Sequence, residues 1–317
     1  MESWDELSVR MVSNYYLGVD TSNYRTSVCL LDADGKIVFQ RRPLLSVPQG
    51  KLGLRQQEAV FQHLKVLPKL LEELGPLNDV QFGVTNAPRP LPDSYMPCFL
   101  VGHSFIRALA AGRGFLELSH QENHLWAGLH ENQELIGKPF LAMHLSGGTT
   151  EFLEVTWQGN SMQIKELGGS SDISAGQFLD RIGVLLGLPF PAGPYLEKLA
   201  KPTDLRLGVP VKGSNLSYSG PEAEAKRLIL AGVSGEELAY AAILAVAKSV
   251  GRVLRSLREA TNIRDFLLVG GVMANNLIKE RLLKDLHHPQ ASKVYFASPE
   301  ASGDNALGVA TALFWRD

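Results

Sequence analysis

Tyr16-Leu-Gly-Val-Asp-Thr-Ser-Asn-Tyr-Arg-Thr-Ser-Val-Cys-Leu-Leu-Asp-Ala-Asp-Gly-Lys-Ile-Val38 reads as an apolar strand, a small polar turn at Thr21 to Arg25, and a second strand. The Asp34-Gly35 pair then turns the chain into a third strand. The same order recurs in Phe140-Leu-Ala-Met-His-Leu-Ser-Gly-Gly-Thr-Thr-Glu-Phe-Leu-Glu-Val-Thr-Trp-Gln-Gly-Asn160, with a glycine-rich turn and a closing Gly159-Asn160 signal. Helical patterns follow each triplet, at Glu58 to Leu74 and Gly176 to Leu186. A third strand-then-loop unit, Asp265-Phe-Leu-Leu-Val-Gly-Gly-Val-Met-Ala-Asn-Asn276, leads into a helix over Leu277 to Leu286. Strands alternating with helices predict an α/β protein, and the repeat predicts two related lobes.

Composition narrows the field. The chain has 317 residues, 45% of them hydrophobic, enough for one large core or two smaller ones. Lys+Arg total 31 against Asp+Glu 33, a net charge of −2, so no global basic field attracts nucleic acid and any such contact needs a local patch or a partner protein. Cys29 and Cys98 lie far apart and form no metal or redox motif, which fits a reducing compartment. Met1 to Asn14 is mixed and charged, unlike a signal peptide, and no run of about 18 apolar residues offers a membrane span. A cytoplasmic protein with no membrane contact is expected.

Ser119-His-Gln-Glu-Asn-His-Leu-Trp126 carries the first chemistry. Ser119 and Glu122 form a capping box that starts a helix. His120 and His124 then lie one turn apart on one face, so both imidazoles can reach one ion. Two loops suit anions. Gly147-Gly148, flanked by Ser146 and Thr149-Thr150, lets backbone N–H groups and hydroxyls converge on a phosphate, and Gly270-Gly271 stands before a helix N-terminus. Neither a Walker A pattern nor G-x-G-x-x-G is present, which argues against a P-loop NTPase or a Rossmann dehydrogenase.

From about Leu17 to Leu313 these motifs, in this order, resemble the TsaD/glycoprotease-like family, the tRNA threonylcarbamoyl transferases of the actin/hexokinase-like superfamily. The family's H-x-x-x-H is similar to His120 and His124, and its S-G-G-H-T loop to Ser146-Gly-Gly-Thr-Thr150. Its A-F-D-K element is similar to the end of Asp172-Ile-Ser-Ala-Gly-Gln-Phe-Leu-Asp180-Arg. The run Leu185-Leu-Gly-Leu-Pro-Phe-Pro-Ala-Gly-Pro194, the Gly270-Gly-Val-Met-Ala-Asn275 loop and Asp304-Asn305 match further family motifs. The resemblance implies a two-lobed, duplicated ribonuclease H-like fold with an interlobe nucleotide cleft. It divides the chain into an N-terminal extension over 1–14, an N-terminal lobe over 15–137, a C-terminal lobe over 138–303, and a terminal helix over 304–317 that packs back on the cleft and first lobe.

It also implies an ion held by His120, His124 and Asp304, with Fe(II) favoured and Zn(II) or Mn(II) as alternatives. Asp304 reads equally as a helix N-cap before Asn305 to Phe314. The nucleotide, ATP, ADP or a threonylcarbamoyl adenylate, falls to Ser146, Gly147, Gly148, Thr149, Gly270 and Gly271. Asp180 takes the ribose hydroxyls, Gly193 permits close backbone approach, and Asn275 contacts adenine or ribose. The implied reaction transfers a threonylcarbamoyl group from its adenylate to N6 of the adenosine beside a tRNA anticodon, with partner proteins of the transfer complex.

The chain also departs from the pattern. The family's acidic pair after the first strand is replaced by Tyr24 and Arg25, the histidine of S-G-G-H-T is Thr149, and the lysine of F-S-G-L-K is Glu222. The family's glycine-proline turn reads Ala87-Pro-Arg-Pro90. Arg25 removes a base and favours a more anionic ligand. A non-catalytic or regulatory paralogue that binds nucleotide and metal and serves a protein partner is therefore the alternative. A peptidase is disfavoured, since H-E-x-x-H is absent and Gln121 stands at its glutamate position.

Overall fold

The computed structural model describes residues 15–22, 24–47, 54–76, 79–286 and 292–316. The extension read over 1–14 lies outside them, as does Asn23 in the first turn. The chain forms two compact units, residues 1–126 with 304–317, and residues 127–303.

In the first unit β1 (Tyr15–Asp20), β2 (Ser27–Asp32) and β3 (Ile37–Arg41) form an antiparallel meander. Gly35 takes a φ of 74° at the β2–β3 turn, and the Asp32 carboxylate accepts from the N–H groups of Asp34 and Lys36. The chain continues through α1 (Gln56–Glu72), β4 (Val80–Ala87), α2 (Phe99–Ala110), β5 (Leu116–Ser119) and α3 (His120–Glu131). β4 joins β1 in parallel and β5 joins β4, giving the order β3-β2-β1-β4-β5. Five of the six residues of β1 are buried, as for a central strand covered on both faces. Leu17, Val19, Val28 and Val84 pack with Leu67, Leu70 and Ile106 of the two helices.

The second unit repeats the scheme. β6 (Phe140–Leu145), β7 (Thr150–Gln158) and β8 (Ser161–Gly169) form the meander. Next come α4 (Ala175–Leu185), α5 (Gly193–Leu199), the two-residue strands β9 (Val211–Lys212) and β10 (Asn215–Leu216), α6 (Ser219–Leu230) and α7 (Gly235–Thr261). β11 (Asp265–Val269), α8 (Asn276–Leu286), β12 (Lys293–Phe296) and α9 (Pro299–Ser302) complete it. The order β12-β11-β6-β7-β8 is that of the first sheet, with both added strands parallel. Met143, Phe152, Phe178, Tyr218, Val246 and Phe266 lie in one core.

α10 (Leu307–Arg316) returns to the first unit and lies across β1, β2 and β4. Its approach needs a gap in the side-chain layer. Gly18 and Gly83 supply it as a register pair; a Cβ on Gly18 would stand 2.4 Å from the Ala306 carbonyl, and one on Gly83 2.6 Å from Val309 Cγ1. The helix starts at Leu307, so the expected start at Asn305 is two residues early, and Asp304 is not its N-cap. The Asn305 carboxamide oxygen accepts from the Leu307 N–H instead.

Candidate functional site

The two histidines stand where a local signal puts them. Glu122 accepts from both the N–H and the hydroxyl of Ser119 at 2.7 Å, and Ser119 Oγ accepts from the Glu122 N–H, so the expected capping box fixes the start of α3. His120 and His124 follow on one face, their Nε2 atoms 3.0 Å apart. Asp304 reaches them from the other end of the sequence, its Oδ1 lying 3.5 Å from His120 Nε2 and 3.6 Å from His124 Nε2. Among the described residues these are the one His/Cys/Asp/Glu group with donor atoms close enough to share an ion.

The donors fit a metal. Atoms about 2.0–2.2 Å from one ion lie roughly 3.0–3.6 Å apart across angles from square to trigonal. Two imidazoles and a carboxylate suit Fe(II), Zn(II) or Mn(II) and leave positions open. Asp20 stands behind His120, its Oδ2 3.5 Å from Nδ1. Burial opposes a charged His120 ring, but the carboxylates of Asp20 and Asp304 outweigh it and push its pKa up to about 10. Burial and the neighbouring His120 charge hold His124 below the usual histidine range. Burial likewise works against a charged Asp304, and the two imidazoles overcome it, keeping its carboxyl below the ordinary range.

Asn123, between the histidines, is fully buried and holds Asp304 in place. Its Nδ2 donates to the Asn305 carbonyl at 2.6 Å and its Oδ1 accepts from the Val309 N–H at 2.9 Å. Ser27 Oγ accepts from the Ala306 N–H at 2.8 Å. Three segments of sequence, at 27, 123 and 305–309, are thereby joined beside the candidate donors.

The nucleotide candidates lie in the second unit. Ser146 and Thr149 close a tight turn, the Ser146 N–H donating to the Thr149 carbonyl and the Thr149 N–H to Ser146 Oγ. Gly147 and Gly148 are exposed at its tip, with open space where a Cβ would project. The start of α4 packs against this turn: Ser174 Oγ donates to the Gly147 carbonyl, and Ser174 with Gln177 forms a second capping box. Asp180 Oδ1 accepts from the Ala192 N–H at 2.7 Å beside Gly193. Burial raises its carboxyl pKa, while the N–H groups of Ala192 and Gly193 counteract. Gly270, with φ 104°, passes against the Leu145 carbonyl, and Gly271 begins a short 3-10 turn. Asn275 caps α8, its Oδ1 accepting from the Ile278 N–H at 3.0 Å. Two acceptors assigned to a nucleotide, Asp180 Oδ1 and Asn275 Oδ1, are thus engaged by the protein itself.

The substituted positions are built in. Arg25 Nη1 donates to the Arg42 carbonyl at 2.9 Å, and the Tyr24 carbonyl accepts from the Leu45 N–H. The guanidinium therefore ties the first turn to the segment after β3. Glu222 is buried between Arg181 at 3.0 Å and Lys226 at 2.6 Å. Burial opposes its charge and the two cations prevail, lowering its pKa.

Three residues escaped sequence reading: Asp20, Asn123 and Asp172. Asp20 could have been noticed as a carboxylate ending an otherwise apolar strand, and Asn123 as a poor helix former in the middle of one. Asp172 accepts from Ser217 Oγ, Ser219 Oγ and the N–H groups of Tyr218 and Ser219, clamping the start of α6. Burial works against its charge, and these donors outweigh it, holding the carboxyl below its ordinary range. A depressed folded-state pKa gives stability that is present above the unfolded value and lost as pH falls through the folded one. Asp172→Asn should therefore lower the melting temperature at pH 7 and lose that effect in strong acid. Equal melting of both proteins at pH 7 removes the clamp's role.

Comparison with known proteins gives a consistent picture. The family model for tRNA N6-adenosine threonylcarbamoyltransferase matches residues 95–311. A Thermus thermophilus tRNA N6-adenosine threonylcarbamoyltransferase is 32% identical over 95% of this chain and 92% of its own. A Thermotoga neapolitana protein of the same name is also 32% identical, over 93% and 92%. Among solved structures, component A of the Acidaminococcus fermentans (R)-2-hydroxyglutaryl-CoA dehydratase matches with TM-score 0.58 at 15% identity, over 96% of this chain and all of that one. The Thermus thermophilus ROK hexokinase matches with TM-score 0.51 at 18% identity, over 94% and 97%. The expected actin/hexokinase-like α/β fold is therefore found.

Proposed function

Because the chain belongs to the tRNA N6-adenosine threonylcarbamoyltransferase family, we propose that it transfers a threonylcarbamoyl group from its adenylate to N6 of the adenosine beside a tRNA anticodon. The observation that supports this reading best is the convergence of His120 and His124 with Asp304. In the transfer, the N6 lone pair attacks the carbamoyl carbon, a C–N bond forms, the bond from that carbon to the adenylate oxygen breaks, and AMP departs with the electron pair while N6 sheds a proton. A bound divalent ion, Fe(II) by preference, would supply Lewis-acid stabilisation of charge on the leaving phosphate. The Ser146–Thr149 turn and the Gly270-Gly271 backbone offer N–H groups to phosphate, and Asp180, Gly193 and Asn275 are assigned to the nucleoside. Since N6 is a weak nucleophile, positioning contributes most of the rate. We place the reaction in the cytoplasm; no described helix is long and apolar enough to cross a membrane. Partner proteins of the transfer complex would supply tRNA contacts that the chain's balanced charge does not.

Tyr24 and Arg25 favour a second reading, a paralogue that binds nucleotide and metal and acts through a protein partner. One experiment separates the two. The purified chain is incubated with threonine, bicarbonate, ATP, the adenylate-forming enzyme and unmodified tRNA, and the modified adenosine is measured. Product is expected, and Tyr24→Asp with Arg25→Glu should raise its rate about a hundred-fold, the low end of what a positioned base contributes. Tight nucleotide binding without product selects the paralogue. A double variant no faster than the parent shows that residues 24 and 25 do not limit the chemistry.

A further inference from the structure

We propose that Asp20 is a positioning residue for the metal centre: it holds the proton on His120 Nδ1 and so presents Nε2 to the ion. The inference rests on metal binding by His120, His124 and Asp304. A histidine can ligate through either ring nitrogen, and the group that holds the other one decides which. His120 Nδ1 is buried and makes no hydrogen bond in the structure; the nearest carboxylate oxygen is Asp20 Oδ2, at 3.5 Å. Nε2, on the opposite edge, faces His124 and Asp304. The ring is further held edge-on by Phe99, its centroid 6.2 Å away.

Asp20 is itself fixed. It ends β1 beside β4, is fully buried, and accepts hydrogen bonds on both oxygens. Oδ1 accepts from the Ser22 N–H and from Thr85 Oγ1, while Oδ2 accepts from Ser22 Oγ at 2.7 Å. Each of these neighbours donates in the structure, and a carboxylate accepts on both sides while still facing His120 with an acceptor. Asparagine fits in one orientation only, with Oδ1 toward the Ser22 N–H and Thr85, which turns its NH2 toward His120 and favours Nδ1 as an acceptor with the proton on Nε2. An ion at His120 would also meet a ligand made more basic by the carboxylate behind it.

Zn(II) alone is the probe. Titration of the full chain against a zinc-competing chromophore should show Asp20→Asn and Asp20→Ala binding Zn(II) about 10–100-fold more weakly than the parent. Thr85→Val removes one donor to Asp20 but leaves the carboxylate facing His120, and should stay within three-fold. Long-range 1H–15N correlation spectra of the zinc-loaded parent should show His120 protonated at Nδ1 and ligated through Nε2, a readout that needs no variant to fold. The proposal is overturned by Asp20 variants within three-fold of the parent, by a Thr85→Val loss as large as theirs, or by ligation through His120 Nδ1. A parent that takes up no zinc overturns both this role and the metal reading on which it rests.

Discussion

Asp304→Ala should leave the chain unable to retain a stoichiometric metal ion. The carboxylate is the sole acidic member of the donor group, and losing it leaves two neighbouring imidazoles whose Nε2 atoms lie 3.0 Å apart. Changes behind the ligands of metal sites typically cost 10–100-fold in affinity, and loss of a ligand should exceed that, at least roughly a hundred-fold. His120→Ala and His124→Ala should behave alike. His103→Ala is the control, since that histidine pairs with Glu117 at 2.7 Å and is not a member of the donor group. Elemental analysis after reconstitution with Fe(II) or Zn(II) and desalting gives the answer. Parent-like metal content in Asp304→Ala would show that the ion, if bound, is held elsewhere.

Gly308→Ala should destabilise the first unit by about 3 kcal/mol or more, at the severe end of overpacking. A Cβ at Gly308 would stand 1.8 Å from the Asn123 carbonyl oxygen, with the Asn123 side-chain oxygen also inside van der Waals contact at 2.7 Å. The nearest atoms are the backbone carbonyl of Asn123, which cannot swing aside, and the Asn123 side chain is itself held by hydrogen bonds to Asn305 and Val309. Asn123→Ala attacks the same joint by subtraction, stranding the buried Val309 N–H and Asn305 carbonyl at roughly 1–3 kcal/mol each. Both substitutions should lower the thermal midpoint and weaken metal retention together, because both release Asp304. A Gly308→Ala protein melting within a degree of the parent would refute the joint.

The fold was legible because its signals are local. Alternating strand, turn and strand, the Asp34-Gly35 turn and the Ser119/Glu122 box each specify their own geometry within a few residues, and the structure keeps them. Helix α1 begins at Gln56 and α4 at Ala175, within two residues of expectation. Read from the residues alone, the candidate metal donors were half legible. The histidine pair follows from helical spacing, whereas Asp304 lies far along the chain and carries no spacing signal; its apparent local role as an N-cap failed because the helix starts at Leu307. Asp20 and Asn123 stayed hidden for another reason. Each acts through partners distant in sequence, Thr85 and His120 for one and Asn305 and Val309 for the other, and no window of sequence contains such pairs.

The return of α10 to the first unit also orders events during synthesis. Asp304 and the helix that fills the gap over Gly18 and Gly83 are translated after the whole of residues 127–303. At about 5–20 residues per second, roughly 10–35 s of translation separate the histidines from their carboxylate. Over that interval the nascent first sheet carries an uncovered apolar face and an incomplete set of donors. The second unit can finish folding on the ribosome, but the first waits until residues 304–316 have been made, and its donor group is completed only then.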